Sequence, residues 1–100
     1  MKLLAVEKEL RAVNADQSRA LLRDEAFRVW ELQQSGCVRA IYFRADTHTA
    51  VLELECADME EAHQLISSLP LAVAGLSEFD ILPLVPYDGF ARLFADKSMG

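Results

Sequence analysis

Glu53 is the residue of this sequence best placed to do chemistry. It falls mid-way along VLELEC, residues 51–56, whose alternation marks a strand, and a glutamate there is hard to justify by stability alone. A carboxylate surrounded by apolar side chains has its pKa raised by desolvation and becomes a base suited to neutral pH. Tyr42, in CVRAIYFR, shares that face and could donate to a developing oxyanion. Each has a plainer alternative: Glu53 solvated or paired with an arginine across a dimer, and Tyr42 a cross-strand packing residue. Arg39 falls with Ile41 and Phe43, so its charge must reach an edge, a carboxylate or a ligand. It either snorkels or grips an anion such as a substrate carboxylate. His63 lies at the edge of a helical stripe and reads as a surface histidine or a ligand contact. Trp30 reads as core or as the wall of a pocket between helix and sheet, Glu55 as an exposed strand-end residue, and His48 as part of a loop.

Other chemistries lack their signatures. There is no nucleophile elbow, phosphate loop or CxxC, and no metal-ligand spacing, so no cofactor and no metal is expected. The formal net charge of −6 leaves no basic surplus for nucleic acid or an anionic membrane surface. No apolar run reaches the length of a membrane span, and Glu7, Lys8 and Glu9 interrupt the N-terminal apolar patch too early for a secretory signal. A cytoplasmic chain is expected, with Cys37 and Cys56 as thiols.

The elements that must position these residues follow from pattern. The 100 residues make a single domain, 1–100, without linker or repeat. Residues 2–9 form a first strand, followed by a connection in which Asn14 or Asp16 caps a helix. That helix, 17–35, presents Leu22, Ala26, Val29, Trp30 and Gln33 to the sheet, keeps Glu25 largely off the stripe, and ends at Gly36. Strands 37–44 and 49–56 pair antiparallel. Setting Arg44 opposite Thr49 buries Ile41 and Phe43 with Leu52 and Leu54, leaves Val38, Ala40, Tyr42 and Val51 on the other face, and places Cys37 opposite Cys56. Asp58 and Glu61 form a capping box for a helix over 58–69, stopped by Pro70. A loop over 71–76 leads to a strand at 78–85, whose Pro83 marks a sheet edge or strand end. A short helix over 87–94 exposes Phe90, Leu93 and Phe94, and 96–100 fray. The order βαββαβ is a ferredoxin-like α+β fold, a four-stranded antiparallel sheet with two helices on one face. The opposite face is too apolar for water, which predicts a homodimer closed through sheet faces.

The stretch 36–70 resembles the muconolactone δ-isomerase family of the dimeric α/β-barrel superfamily. The likeness lies in Leu32, Gln33 and Gly36, in Arg39, in His63, and in Leu69-Pro70-Leu71, and continues through Glu78, Asp80, Leu82 and Pro86. This chain has Ala40, Tyr42 and Phe43 where the family carries His, Trp and Arg, and His48-Thr49-Ala50 where it has Tyr-Ala-Asn. Its 70–74 run, Pro-Leu-Ala-Val-Ala, replaces Pro-Leu-Phe-Pro-Tyr. The resemblance implies a cofactor-free enzyme of aromatic catabolism that shifts a proton and a double bond in a small oxygenated metabolite such as an unsaturated lactone. Glu53 would then be the base and Tyr42 the oxyanion donor, with Arg39, His63 and Trp30 binding the substrate. Two alternatives stand beside it: a non-catalytic ligand-binding or assembly module of the same fold, and a cofactor-independent oxygenase.

Overall fold

The structure, a computed structural model, describes residues 1–12 and 15–95. The caps expected at Asn14 and Asp16 and the tail 96–100 fall outside the described residues or side chains. The elements run β1 (Lys2–Glu9), α1 (Ala15–Gln34), β2 (Val38–Phe43), β3 (Ala50–Glu55), α2 (Met59–Ser67), α3 (Pro70–Val73), β4 (Ser77–Leu84), a 3-10 turn (Gly89–Ala91) and α4 (Arg92–Ala95). Among the described residues four strands form one antiparallel sheet in the order β2-β3-β1-β4, the ferredoxin-like arrangement.

Alternation divides the sheet into two faces. Leu3 and Ala5 of β1, with Leu52 and Leu54 of β3, turn toward the helices and are almost wholly buried with Leu32, Ala62, Ile66 and Leu69. The other face, open in the single chain, carries Leu4, Val6, Val51 and Tyr42, ringed by the ion pairs Lys2–Glu53 and Lys8–Asp80. Gly36, at φ 89°, ends α1 in the left-handed conformation, with Cys37 N–H returning to the Leu32 carbonyl at 3.0 Å. Asp58 caps α2 by accepting from Glu61 N–H at 2.8 Å, while the Glu61 carboxylate accepts from Ala57 N–H.

Four expectations change. Ile41↔Leu52, Tyr42↔Val51 and Phe43↔Ala50 hold the expected register, but a bulge between Val38 and Ala40 shifts it by one residue. Val38 therefore turns into the core opposite Leu54 instead of onto the open face. Arg39 stands exposed, its Nε donating to the Gly36 carbonyl at 2.7 Å, and does not share a face with Ile41 and Phe43. Cys37 is not opposite Cys56, because its carbonyl accepts from Glu55 N–H. Both cysteines are free thiols, and burial pushes the Cys56 pKa up. Pro70 does more than stop α2: as the first residue of α3, where a missing N–H costs nothing, it starts a one-turn helix in the expected loop.

Candidate active site

The helical layer does not close fully on the sheet. Between α1 and the strands lies a cavity of about 600 Å³, open at one side and walled mostly by apolar groups, with Leu22, Trp30, Ile41, Phe43, Leu52 and Phe79 prominent. The α1 stripe read from the sequence borders this space instead of packing directly on the strands. Trp30 is consequently 54% exposed and stacks on Phe27 at 5.9 Å. The same gap leaves Phe43, expected to be buried, 62% exposed.

Glu25 enters this apolar space from α1. Three residues after Leu22 and four before Val29, it falls inside the helical stripe. Its Oε1 accepts the backbone N–H of Leu71 at 2.9 Å, tying α1 to the start of α3. Its pKa is raised, chiefly because burial disfavours the charged form; the Leu71 hydrogen bond opposes the rise and the nearby Glu7 charge adds to it. Glu7 continues the inward parity of Leu3 and Ala5 on β1. Its Oε1 accepts from Ala50 N–H at 2.8 Å, where the β1–β3 backbone pairing has ended at Val6↔Val51.

The rest of the polar lining sits around these two carboxylates. Ser77, at the start of β4, is 5% exposed, and its buried Oγ has no hydrogen-bond partner among the described residues. Thr49 is buried and shares a 2.7 Å hydroxyl–hydroxyl contact with Thr47. His48 holds the left-handed conformation at φ 57°, unusual for a residue with a Cβ. It stacks on Phe43 with ring centroids 4.1 Å apart, which fixes the imidazole beside the cavity. Glu9 and Arg11 complete the rim.

Of the residues singled out in the sequence, the structure brings Trp30 alone to this cavity. Glu53 and Tyr42 share the open face away from the helices, as expected, with Glu53 accepting from Lys2 Nζ and Tyr42 68% exposed. Arg39 is at the bulge, and His63 is exposed beside a separate shallow groove between α2 and β4. Glu55 pairs with the N-terminal amino group at 2.8 Å, which holds its pKa below the usual carboxylate range. Glu25, Glu7 and Ser77 had no site expectation from the sequence, and His48 was read there only as part of a loop. Two signals were available for the acids: the strand parity of Glu7 and the helical spacing of Glu25 each place a carboxylate among core positions. No group of His, Cys, Asp and Glu among the described residues is arranged to hold a metal ion, and no described helix is long and apolar enough to cross a membrane.

No protein-family model matches the chain, and no curated protein sequence does. Solved structures do match. The chain is similar to muconolactone isomerase with a TM-score of 0.76 and 18% identity, over 88% of this chain and 92% of that one. It is also similar to a 5-chloro-2-hydroxyhydroquinone dehydrochlorinase from Burkholderia phenoliruptrix, solved with 2,5-dihydroxybenzoquinone, at a TM-score of 0.60 and 15% identity, over 89% and 98% of the two chains. The fold is therefore muconolactone isomerase-like.

Proposed function

We propose that this chain, folded like muconolactone isomerase, is a cofactor-free enzyme that moves a proton within a small oxygenated ring compound, with unsaturated lactones as the working substrate class. The observation that carries the reading is Glu25, a partly desolvated carboxylate in a mostly apolar, ligand-sized cavity. Both structural relatives are named for chemistry on small oxygenated rings, and the one bound compound is such a ring.

In this reading Glu25 takes a proton from a carbon activated by the ring carbonyl. The C–H electron pair delocalises through the ring onto the carbonyl oxygen, giving an enolate. The proton then returns from Glu25 to the far end of the conjugated system, which shifts the double bond and regenerates the carboxylate. Aromatic walls at Trp30 and Phe79 hold the ring. Glu53 and Tyr42 give a second reading, which needs another copy to build a site over the open face. The test is turnover of an unsaturated lactone by Glu25→Gln and Glu53→Gln variants: loss in the first alone supports the cavity, and loss in the second alone moves the site to the open face. Binding without turnover in the unmodified protein would instead mark a ligand-binding module.

The open face supports the homodimer read from the sequence. The accessible surface is 7161 Å², against about 5,700 Å² for a compact monomer of this mass. Tyr87, Phe90 and Leu93, each more than 60% exposed, form an arm after β4, at the end of that strand remote from Ser77 and the cavity. A second copy that covers the open face and this arm removes the excess from water.

A further inference from the structure

We infer that the cavity selects uncharged ring compounds bearing hydrogen-bond donors and turns away carboxylated ones, an inference resting on the cavity being the ligand site. Its polar lining is lopsided. Among the described residues it presents three carboxylates, Glu7, Glu9 and Glu25, and one cation, Arg11. An ionised carboxylate can only accept hydrogen bonds, so the groups that face a ligand here call for donors on that ligand.

Two cations that could hold a substrate carboxylate, Arg39 and Arg44, are committed elsewhere. Arg39, the residue the sequence nominated, is taken out of reach by the β2 bulge and bonds to the Gly36 carbonyl. Arg44 forms a two-pronged pair with Asp46, at 3.0 and 2.7 Å. Arg11 is exposed at the rim, with one guanidinium nitrogen donating to the Gly75 carbonyl at 3.3 Å. A ligand carboxylate would lose its water and meet a surplus of like charge at short range, in a chain whose net charge is already −6.

A cation is not the better occupant. Glu7 and Glu25 each already hold a backbone N–H, at Ala50 and Leu71, so their charge is partly spent. An ammonium group would also have to shed its own water to enter a mostly apolar slot. What remains is an aromatic slot bordered by carboxylate acceptors, which a hydroxylated neutral ring satisfies.

Three compounds of one shape test this: 4-(hydroxymethyl)phenol, 4-hydroxybenzoate and 4-hydroxybenzylamine, titrated calorimetrically near neutral pH at low salt. The alcohol should bind about tenfold more tightly than the benzoate, the scale of a like-charge penalty at a partly screened site. A Glu7→Gln/Glu9→Gln variant, which keeps both acceptor oxygens, should close that gap by raising benzoate affinity. Benzoate binding as tightly as the alcohol, the amine binding tightest, or none binding at millimolar concentration would each overturn the inference. The two claims fail separately. Lost selectivity with Glu25-dependent turnover intact sinks this one, and intact selectivity with unimpaired Glu25→Gln turnover sinks the proton-transfer reading.

Discussion

Glu25 has two duties that pull against each other: its carboxylate anchors Leu71 N–H, and its burial opposes the charge that makes it a good acceptor. A folded-state pKa raised above the unfolded value means the native state binds protons more tightly. The linked stability is therefore present below the unfolded pKa and is lost as pH rises through the folded one. Glu25→Gln keeps the acceptor oxygen and removes the charge, so thermal melts should show it more stable than the parent at neutral pH, with the advantage vanishing toward pH 4. Glu25→Ala loses the Leu71 bond and should not share that gain. Catalysis should move the other way: turnover by Glu25→Gln falls by about 10²-fold or more. In the parent, the acid limb of kcat/KM should lie above the ordinary carboxylate range, since protonated Glu25 cannot act as a base. Glu53→Gln should change turnover less than about twofold, as expected of an exposed residue paired with Lys2. The sequence drew attention to Glu53 because it interrupts an apolar strand, yet that strand has a polar side to spare. Glu7 and Glu25 looked ordinary beside other charged residues, and only their parity with Leu3, Ala5, Leu22 and Val29 sets them apart.

The elements were legible wherever local chemistry dictates them. The Asp58 cap and the Gly36 terminus are each set by the few residues around them. Asp58→Ala should lower stability by about 1 kcal/mol in a denaturant melt. Gly36→Ala should cost a similar amount, roughly 1 kcal/mol, through conformation alone. A Cβ there meets nothing within 4 Å, so a crowding effect is not expected. The hairpin register was legible from Ile41 to Phe43 because a slip would carry these residues among glutamates. The bulge at Arg39 was not, since one inserted residue leaves the local composition of a strand unchanged. That single insertion turns Val38 inward and moves Arg39 off the face that regular alternation had given it with Ile41 and Phe43. The cavity was illegible for a related reason: a helical stripe fixes which side of α1 faces the sheet, not how closely it approaches.

The whole chain is more extended than a compact domain of its length, with a radius of gyration of 17.6 Å against roughly 13 Å. The βαββαβ order was readable from the sequence, and so was a second sheet face that carries apolar residues. In the single chain that face carries Tyr42 and Val51, and Phe90 and Leu93 lie exposed on the arm. Mass measurement by light scattering should find a dimer or a multiple of it. Val51→Lys should shift the population toward monomer by placing a charge at the centre of the face. Every scale bears on one claim, that a ligand in the α1–sheet cavity exchanges a carbon-bound proton with Glu25. The direct measurement is deuterium incorporation, followed by NMR in D₂O, into a neutral unsaturated lactone given to the parent, Glu25→Gln and Glu53→Gln proteins. The account predicts incorporation with the parent and Glu53→Gln and none above background with Glu25→Gln; incorporation that survives Glu25→Gln and disappears with Glu53→Gln would contradict it.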